Sequence, residues 1–357
     1  MHASIPIWKD IERIAVFRAL NLGDMLCSMP ALRGLRKAFP NARVSLIGLE
    51  NIRPLIERFG RYVDELLIFP GLESFPEQRA REEQLPEFYQ RMQSRHFDLA
   101  LQMHGDGTRS NAVLRRLGAR IEAGFVPRDQ SEQPGRWMRW PDERHEIHRY
   151  LALLEYLGIP RDGDSLEFPL GSEEQRMAGQ LLASAGLQPS RTVILHPGAR
   201  LASRRWPLER FVQVGRGLAS KGWQIAITGS RSEAELAAAL ASGVGPGCVN
   251  LCGRTQLGEL GAVVSRCRLL ICNDTGISHV AAAVGAASVV IASGSDVNRW
   301  APLDRRRHPI LHAPADCRPC AFDECPVGHL CAWGVGAAEV LEQAAGQLEQ
   351  AAATSFT

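Results

Sequence analysis

Two short polar stretches carry the residue types that chemistry needs. The first is Asn273-Asp274-Thr275-Gly276, which follows an apolar run beginning at Leu269 and precedes an Ala-rich stretch ending at Gly285. A buried strand, a tight polar turn and a small-residue helix form a corner suited to phosphate. The first N–H groups of such a helix lack internal partners, and its dipole adds partial positive charge. The second stretch is Gly23-Asp24, where an opening strand, Ile14 to Arg18, hands over to a helical run from Met25 to Phe39. A carboxylate at the carboxyl edge of a parallel sheet can take a proton from an incoming hydroxyl. The plainer readings are that Asp24 caps its helix and that the 273–276 corner merely connects two elements.

Other residues extend both patterns. Strand ends at His196 to Ala199, Gly229-Ser230, Asn273 to Gly276 and Gly294-Ser295 each carry a polar turn, and parallel strands put such turns on one edge. Arg204 and Arg205 lie just after the first of these turns, and an arginine grips phosphate oxygens with two parallel hydrogen bonds. Glu233, just inside the helix after Ser230, suits ribose hydroxyls; its plainer role is helix-start electrostatics. This set suits holding a nucleoside diphosphate while a hydroxyl activated by Asp24 displaces it from an anomeric carbon. A single carboxylate with no covalent intermediate implies inversion. Arg18, His104, Arg109 and Arg136 are the candidates for meeting an anionic or hydroxylated acceptor, against a solvated-loop reading for the His104–Arg109 turn.

The elements that must position these residues alternate strand and helix along nearly the whole chain. The expected class is α/β, with two doubly wound parallel sheets in tandem facing a central cleft. The Gly158 to Ser172 segment, with Pro160, Gly163, Pro169 and Gly171, reads as a linker, which sets the domains at 1–165 and 166–357. Its Asp162-Gly163-Asp164 triplet matches a D-x-D metal motif superficially and a turn more naturally. Residues 70–93 read as a helix-containing surface insertion. The Pro127 to Arg144 segment interleaves Arg136 and Arg139 with Trp137 and Trp140. It reads as a mobile loop packed by its own tryptophans, or as a surface for sugar, phosphate or lipid. Residues 337–352 read as a helical cap.

Composition limits the classes. A net charge of +2 gives no overall case for nucleic-acid binding. The opening residues lack a basic region followed by an apolar core, and no apolar run approaches the ~20 residues that span a bilayer. A cytoplasmic enzyme is expected, with peripheral contact at a membrane surface left open. Of the nine cysteines, Cys317, Cys320, Cys325 and Cys331 cluster with His329 among them. Three readings stand for that cluster: a structural zinc or iron–sulfur site, reversible disulfides, or reduced packing thiols.

Several of these motifs together resemble one family. Gly23-Asp24-Met25-Leu26 through Pro30-Ala31-Leu32, Trp206-Pro207, Gly229-Ser230 with Glu233, Asn250-Leu251 with Gly253, and Asn273 to Gly276 with His279 are similar to the heptosyltransferases of glycosyltransferase family 9. The resemblance implies a GT-B enzyme of lipopolysaccharide core assembly that needs no metal for catalysis. It implies ADP-heptose as donor and a lipid-linked glycan as acceptor, at the cytoplasmic face of the inner membrane. It aligns Asp24 with the catalytic base and Arg205 with a phosphate-binding lysine. Glu233, beside Ser230, aligns with a ribose-binding glutamate, and Asp274, Thr275, Gly276 and His279 align with the donor diphosphate and sugar site. Departures occur at Cys27, at Arg205 and at Gly294-Ser295-Asp296, and bear on donor identity. A sugar-nucleotide epimerase and a non-catalytic nucleotide-sugar sensor are the alternative functions.

Overall fold

The computed structural model describes residues 8–134 and 136–353. The chain divides into two compact units, Met1–Leu166 and Glu167–Thr357. Each is built on a six-stranded sheet. The strands are β1 (Arg13–Phe17), β2 (Arg43–Gly48), β3 (Glu65–Ile68), β4 (Leu99–Gln102), β5 (Ile121–Val126) and β6 (Trp137–Arg139) in the first unit. In the second they are β7 (Thr192–His196), β8 (Gln224–Ile227), β9 (Cys248–Asn250), β10 (Leu269–Asn273), β11 (Ser288–Ile291) and β12 (Ile310–Leu311). The orders are β3-β2-β1-β4-β5-β6 and β12-β11-β10-β7-β8-β9, and the pairs are parallel. Read from its own first strand, each sheet has the Rossmann order. The expected α/β class with two doubly wound parallel sheets is what the chain adopts.

The sequence shows why these runs are strands. Residues 14–17, 99–102, 192–196 and 269–273 are buried throughout, as strands must be when helices cover both faces of a parallel sheet. Helix Leu22–Ala38 packs on helix Glu146–Tyr156, and helix Ser172–Ser184 packs on helix Leu257–Arg266. The tail helix Ala337–Ala353 packs on helix Leu208–Ala219, sending Val340, Ala344 and Leu348 into the same core as Trp206, Phe211 and Ile271. Those three tail positions are four residues apart, which is one helix face.

Two sequence expectations need correction, and one short strand went unread. The Pro127 to Arg144 segment contains an edge strand, β6, rather than only a loop. Its tryptophans face inward: Trp137 is buried, and Trp140 lies 4.8 Å from Phe125 and under the Arg149 guanidinium at 4.2 Å. They are therefore packing groups and not a sugar platform. The strand β12 has only two residues, too few to register as a pattern. The first helix begins at Leu22, so Gly23 and Asp24 lie inside its first turn instead of preceding it.

The Asp162-Gly163-Asp164 triplet is a turn. Gly163 has φ +77°, Asp162 accepts from Lys37 Nζ at 2.7 Å, and Asp164 pairs with His148 at 3.0 Å. Both carboxylates tie the segment to helices of the first unit, so they do not form a metal pair.

Ile271 is fully buried at the centre of the second sheet. Ile271→Ala should lower unfolding free energy by about 2–5 kcal/mol, through lost transfer energy and the cavity left behind. Urea denaturation followed by tryptophan fluorescence reads this, because Trp206 sits in the same core.

Candidate functional site

In a doubly wound sheet the crevice for ligand opens where strand order reverses, beyond the carboxyl ends of the two strands that flank the reversal. Those strands are β1 and β4 in the first unit and β7 and β10 in the second. Asp24 follows β1, His104 follows β4, the 197–199 turn follows β7 and Asp274 follows β10. The candidate residues therefore gather at the two reversal points.

In the first unit Asp24 is half-exposed in the first turn of helix Leu22–Ala38, behind the N-cap Asn21. The turn is held from below by Arg18. Its Nη2 and Nε donate to the Asp24 carbonyl at 2.6 and 3.2 Å, and its Nη1 donates to the Met103 carbonyl at 2.5 Å. The guanidinium also lies 3.4 Å from Glu146 and 4.2 Å from the Tyr150 ring centre. Burial opposes its charge, but Tyr150, Glu146 and Asp24 outweigh burial and raise its pKa further. Arg18 has no exposed surface. This corrects the expectation that Arg18 contacts an acceptor: it is a positioning residue that links the ends of β1 and β4.

Glu146 is the hub of that network. It is fully buried and accepts from Arg18, Arg149 and, at 2.9 Å, the Tyr150 hydroxyl. Arg149 in turn donates to the carbonyls of Pro141 at 3.2 Å and Asp142 at 2.9 Å. Sequence reasoning saw an amphipathic helix here and missed the network. The available signal was a Glu, an Arg and a Tyr at spacings of three and four on the face that the apolar residues bury.

His104 is buried against Phe17 at 5.3 Å and Phe75 at 4.6 Å, and its Nδ1 accepts from the Ala19 N–H at 3.2 Å. That bond puts the neutral ring's proton on Nε2. Burial first, and the Arg18 charge second, hold its pKa down at about 3. The ring is therefore uncharged at neutral pH, which, of the anionic and hydroxylated ligands expected, leaves it suited as a donor to a hydroxyl or carbonyl. Arg109 is exposed and donates to the Ser74 carbonyl at 2.5 Å. Between them, Gly107 has φ +94°, and a Cβ there would stand 2.4 Å from the Phe125 carbonyl, so only glycine closes this turn.

In the second unit the 197–199 turn is the meeting point. The buried Asn273 side chain donates to the carbonyls of Pro197 at 2.8 Å and Gly198 at 3.3 Å, and its oxygen accepts from the Trp206 N–H at 2.9 Å. One carboxamide thus locks the end of β10 to the end of β7 and to the segment carrying Arg204 and Arg205. Arg205 Nε donates to the Ala199 carbonyl at 3.0 Å, and among the described residues its terminal nitrogens have no partner. Glu233 Oε2 accepts from the Ser230 N–H and hydroxyl, both at 2.7 Å, while a Cβ on Gly198 would lie 1.8 Å from Oε1. So Glu233 does serve the helix start, and it also presses on the 197–199 turn. Beneath, His196 is buried, bonded to Thr228 at 2.9 Å and kept neutral by burial although Glu233 pulls the other way.

Thr275 is the N-cap of helix Gly276–Ala283, and the Ser278 hydroxyl donates to its carbonyl at 2.7 Å. His279 is buried on that helix, 6.4 Å from the Trp300 ring. Asp274 interacts electrostatically with Arg204 and Arg305. Burial lowers the pKa of both arginines, and Asp274 counters it.

The cysteine loop braces this edge. Cys320 N–H donates to the Gly294 carbonyl at 2.9 Å, and the Cys320 carbonyl accepts from the Arg204 guanidinium. Arg318 donates to the Ser295 carbonyl at 2.8 Å, and Ser203 N–H donates to the Asp323 carbonyl at 3.1 Å. All four thiols are free, and among the described residues no three His, Cys, Asp or Glu side chains converge as a metal site. The loop is held by backbone and arginine bonds.

Two predictions follow from the buried charges. Glu146→Gln removes the carboxylate bonded to both Arg18 and Arg149, and should cost about 3–5 kcal/mol of stability by chemical denaturation. The second concerns pH. The His104 pKa falls from its ordinary value to about 3 on folding, and that of the buried His308 to about 4, so the unfolded chain binds more protons in the intervening range. Stability should therefore be complete above the ordinary imidazole pKa and fall as pH drops towards about 3. Glu65, held at about 2, adds a further loss only below the ordinary carboxylate range. His104→Asn, whose amide oxygen can replace Nδ1 as acceptor, should flatten the upper part of the acid slope in melts run from pH 7 to 4.

Comparison with known proteins bears on the fold and the family. Lipopolysaccharide heptosyltransferase 2 of Salmonella typhimurium is 27% identical over 311 residues, covering 81% of this chain and 85% of the relative. The glycosyl transferase family 9 structure from Veillonella parvula superposes with a TM-score of 0.79 at 22% identity, covering 95% of this chain and 98% of that one. The structure of E. coli heptosyltransferase WaaC with ADP gives 0.65 at 18% identity, covering 94% and 99%. These likenesses place the two Rossmann-like units in the GT-B class. Residues 86–331, well over half of the chain, match glycosyltransferase family 9 (heptosyltransferase) as a family, and the chain belongs to it as a glycosyltransferase.

Proposed function

We propose that this chain transfers a heptose from an ADP-linked donor to a lipid-linked saccharide of the lipopolysaccharide core, with inversion at the anomeric carbon. The observation that carries the reading is the 197–199 turn, on which Arg205, Glu233 and Asn273 converge beside the Asp274–Gly276 corner. The ADP in the WaaC structure and the heptosyltransferase names of the relatives support it. In this reading the unit of residues 1–165 binds acceptor and that of 166–357 binds donor.

The acceptor hydroxyl gives its proton to the Asp24 carboxylate as its oxygen bonds to the anomeric carbon. The bond from that carbon to the diphosphate oxygen breaks, and ADP leaves with the electron pair. Arg205 and the first N–H groups of helix Gly276–Ala283 stabilise the charge growing on the diphosphate. Glu233, oriented by Ser230, accepts from ribose hydroxyls. Thr275, Asp274 and His279 contact the diphosphate and the sugar. His104 and Arg109 face the acceptor, the first as a neutral donor and the second as a cation. No cofactor takes part in these steps. No helix among the described residues is long and apolar enough to cross a membrane, and we place the enzyme in the cytoplasm, peripherally at the inner face of the inner membrane.

A structural metal is the second reading of the cysteine loop. What favours it is the grouping of four free thiols, Cys317, Cys320, Cys325 and Cys331, within one short loop. Stoichiometric zinc or iron in the purified protein, lost in Cys317→Ser, establishes it; metal-free protein with normal ADP affinity removes it.

Calorimetric titration should show ADP binding at least tenfold more tightly than UDP or GDP. Asp24→Ala should lower the transfer rate by ~10²–10⁴-fold, the usual weight of a general base, while ADP affinity stays within about twofold. Full activity in that variant removes Asp24 from the mechanism. Donor turnover without any acceptor points instead to an epimerase.

A further inference from the structure

The carboxyl ends of β8 and β9 are joined by a set of bonds that the proposed transfer steps do not use. Two are between backbones: Leu251 N–H donates to the Ile227 carbonyl at 2.8 Å, and Gly253 N–H donates to the Gly229 carbonyl at 2.9 Å. The third comes from a side chain. Cys252 Sγ donates to the Ser230 carbonyl at 3.0 Å. Asn250 fixes the approach of that thiol, because its side-chain oxygen accepts from the Cys252 N–H at 2.9 Å, the local turn that asparagine favours.

What the thiol holds is the residue that holds Glu233. Ser230 is bonded to Glu233 three times. Its N–H and its hydroxyl donate to Oε2, both at 2.7 Å, and its carbonyl accepts from the Glu233 N–H at 3.0 Å. That same carbonyl takes the Cys252 thiol. Glu233 is also wedged against two glycines. A Cβ on Gly198 would lie 1.8 Å from Oε1, and one on Gly229 would lie 3.3 Å from Oε2 and 3.1 Å from the Cys252 sulfur. Sulfur and carboxylate therefore share the space that Gly229 leaves open.

A thiol is a weak donor, and it donates only while protonated. Burial first, and the Glu233 charge second, push the Cys252 pKa up, so the proton stays on sulfur at neutral pH. The sulfur also fills space beside Gly229. A hydroxyl, with its shorter bond to Cβ, would reach the carbonyl less well and pack less closely.

We propose that Cys252 is a positioning residue that sets selectivity for the ribose of the nucleotide: its thiol pins the Ser230 turn, and the turn aims the Glu233 carboxylate at the ribose hydroxyls. The inference rests on the donor reading above and deepens it. Cys252 acts through Glu233 and not on the diphosphate or the reacting atoms.

The test uses the full chain with Cys252→Ala and Cys252→Ser. Calorimetry gives the affinities for ADP and for 2′,3′-dideoxy-ADP, which lacks both ribose hydroxyls. The wild type should prefer ADP. Cys252→Ala should cut that preference by about threefold or more, the scale of one lost hydrogen bond, by weakening ADP alone. Cys252→Ser, which keeps a donor, should restore part of it. In a Glu233→Ala background, Cys252→Ala should change the preference no further. Three results overturn the proposal: equal wild-type affinities for the two nucleotides, a preference that Cys252→Ala leaves unchanged, or an equal loss for both nucleotides, which is what a merely structural role gives.

Hydrogen exchange of the nucleotide-free protein separates this from the donor reading. The peptide carrying Ser230 should exchange about threefold faster or more in Cys252→Ala than in wild type, whether or not a nucleotide binds. Unaltered exchange overturns the positioning role. Wild type that binds no ADP, with that acceleration present, counts against the donor reading and its ribose contact and leaves Cys252 as the residue that positions Glu233.

Discussion

The reversal of strand order is the constraint on which the rest of this molecule depends. In each sheet the chain runs outwards from the first strand to one edge, then returns to continue on the other side of that strand. Right-handed crossovers then send helices to opposite faces, and the loops leaving the two central strands diverge. The divergence leaves a crevice into which backbone N–H groups point. Neither unit has to evolve a pocket by carving its core. What each must do is keep two diverging loops in register, because a crevice between untethered loops would collapse or gape.

The two units meet that demand with different chemistry. In the first, a buried cation bridges the loops: Arg18 holds carbonyls from both, and Glu146 with Tyr150 neutralises it. In the second, a neutral carboxamide does the same work, Asn273 giving two donors and one acceptor across the ends of β7 and β10. The difference has an electrostatic logic. A fixed cation lies under the turn that carries Asp24, the residue proposed above as the base. A neutral clamp beneath the 197–199 turn spares the core an unpaired charge, and in the proposed mechanism it leaves the cationic duty to Arg205.

Much of this was legible in the residues. The apolar runs at 14–17, 99–102, 192–196 and 269–273 are long enough and flanked clearly enough to be read as buried parallel strands, and the polar turns after them mark the carboxyl edge. What escaped has physical causes. The strand β6 hides among arginines and tryptophans because an edge strand needs only one packed face. Arg18 looked like a ligand contact because sequence shows a charge and not its burial, and the partner that neutralises it is more than a hundred residues away. Asn273 stood in view as part of a turn, yet its three bonds depend on the end of β7 and on the segment before helix Leu208–Ala219, which only the fold brings near. The titration state of His104 also depends on distant groups, the Phe17 and Phe75 rings and the Arg18 charge.

Gly198 shows how closely the donor edge is built. Its φ needs no special freedom, so conformation does not explain the residue. What explains it is the Glu233 carboxylate, which fills the space a side chain would take. Glu233 is fixed in turn by the Ser230 N–H and hydroxyl, and the Gly198 carbonyl is held by Asn273. The carboxylate therefore has little room to move, and its second oxygen is held at a set position on the edge. A hydroxyl pair that must match a fixed acceptor is selected by geometry as well as by charge. In the proposed function, a turn of three residues, Pro197 to Ala199, then helps to decide which nucleoside the neighbouring arginine and helix dipole hold.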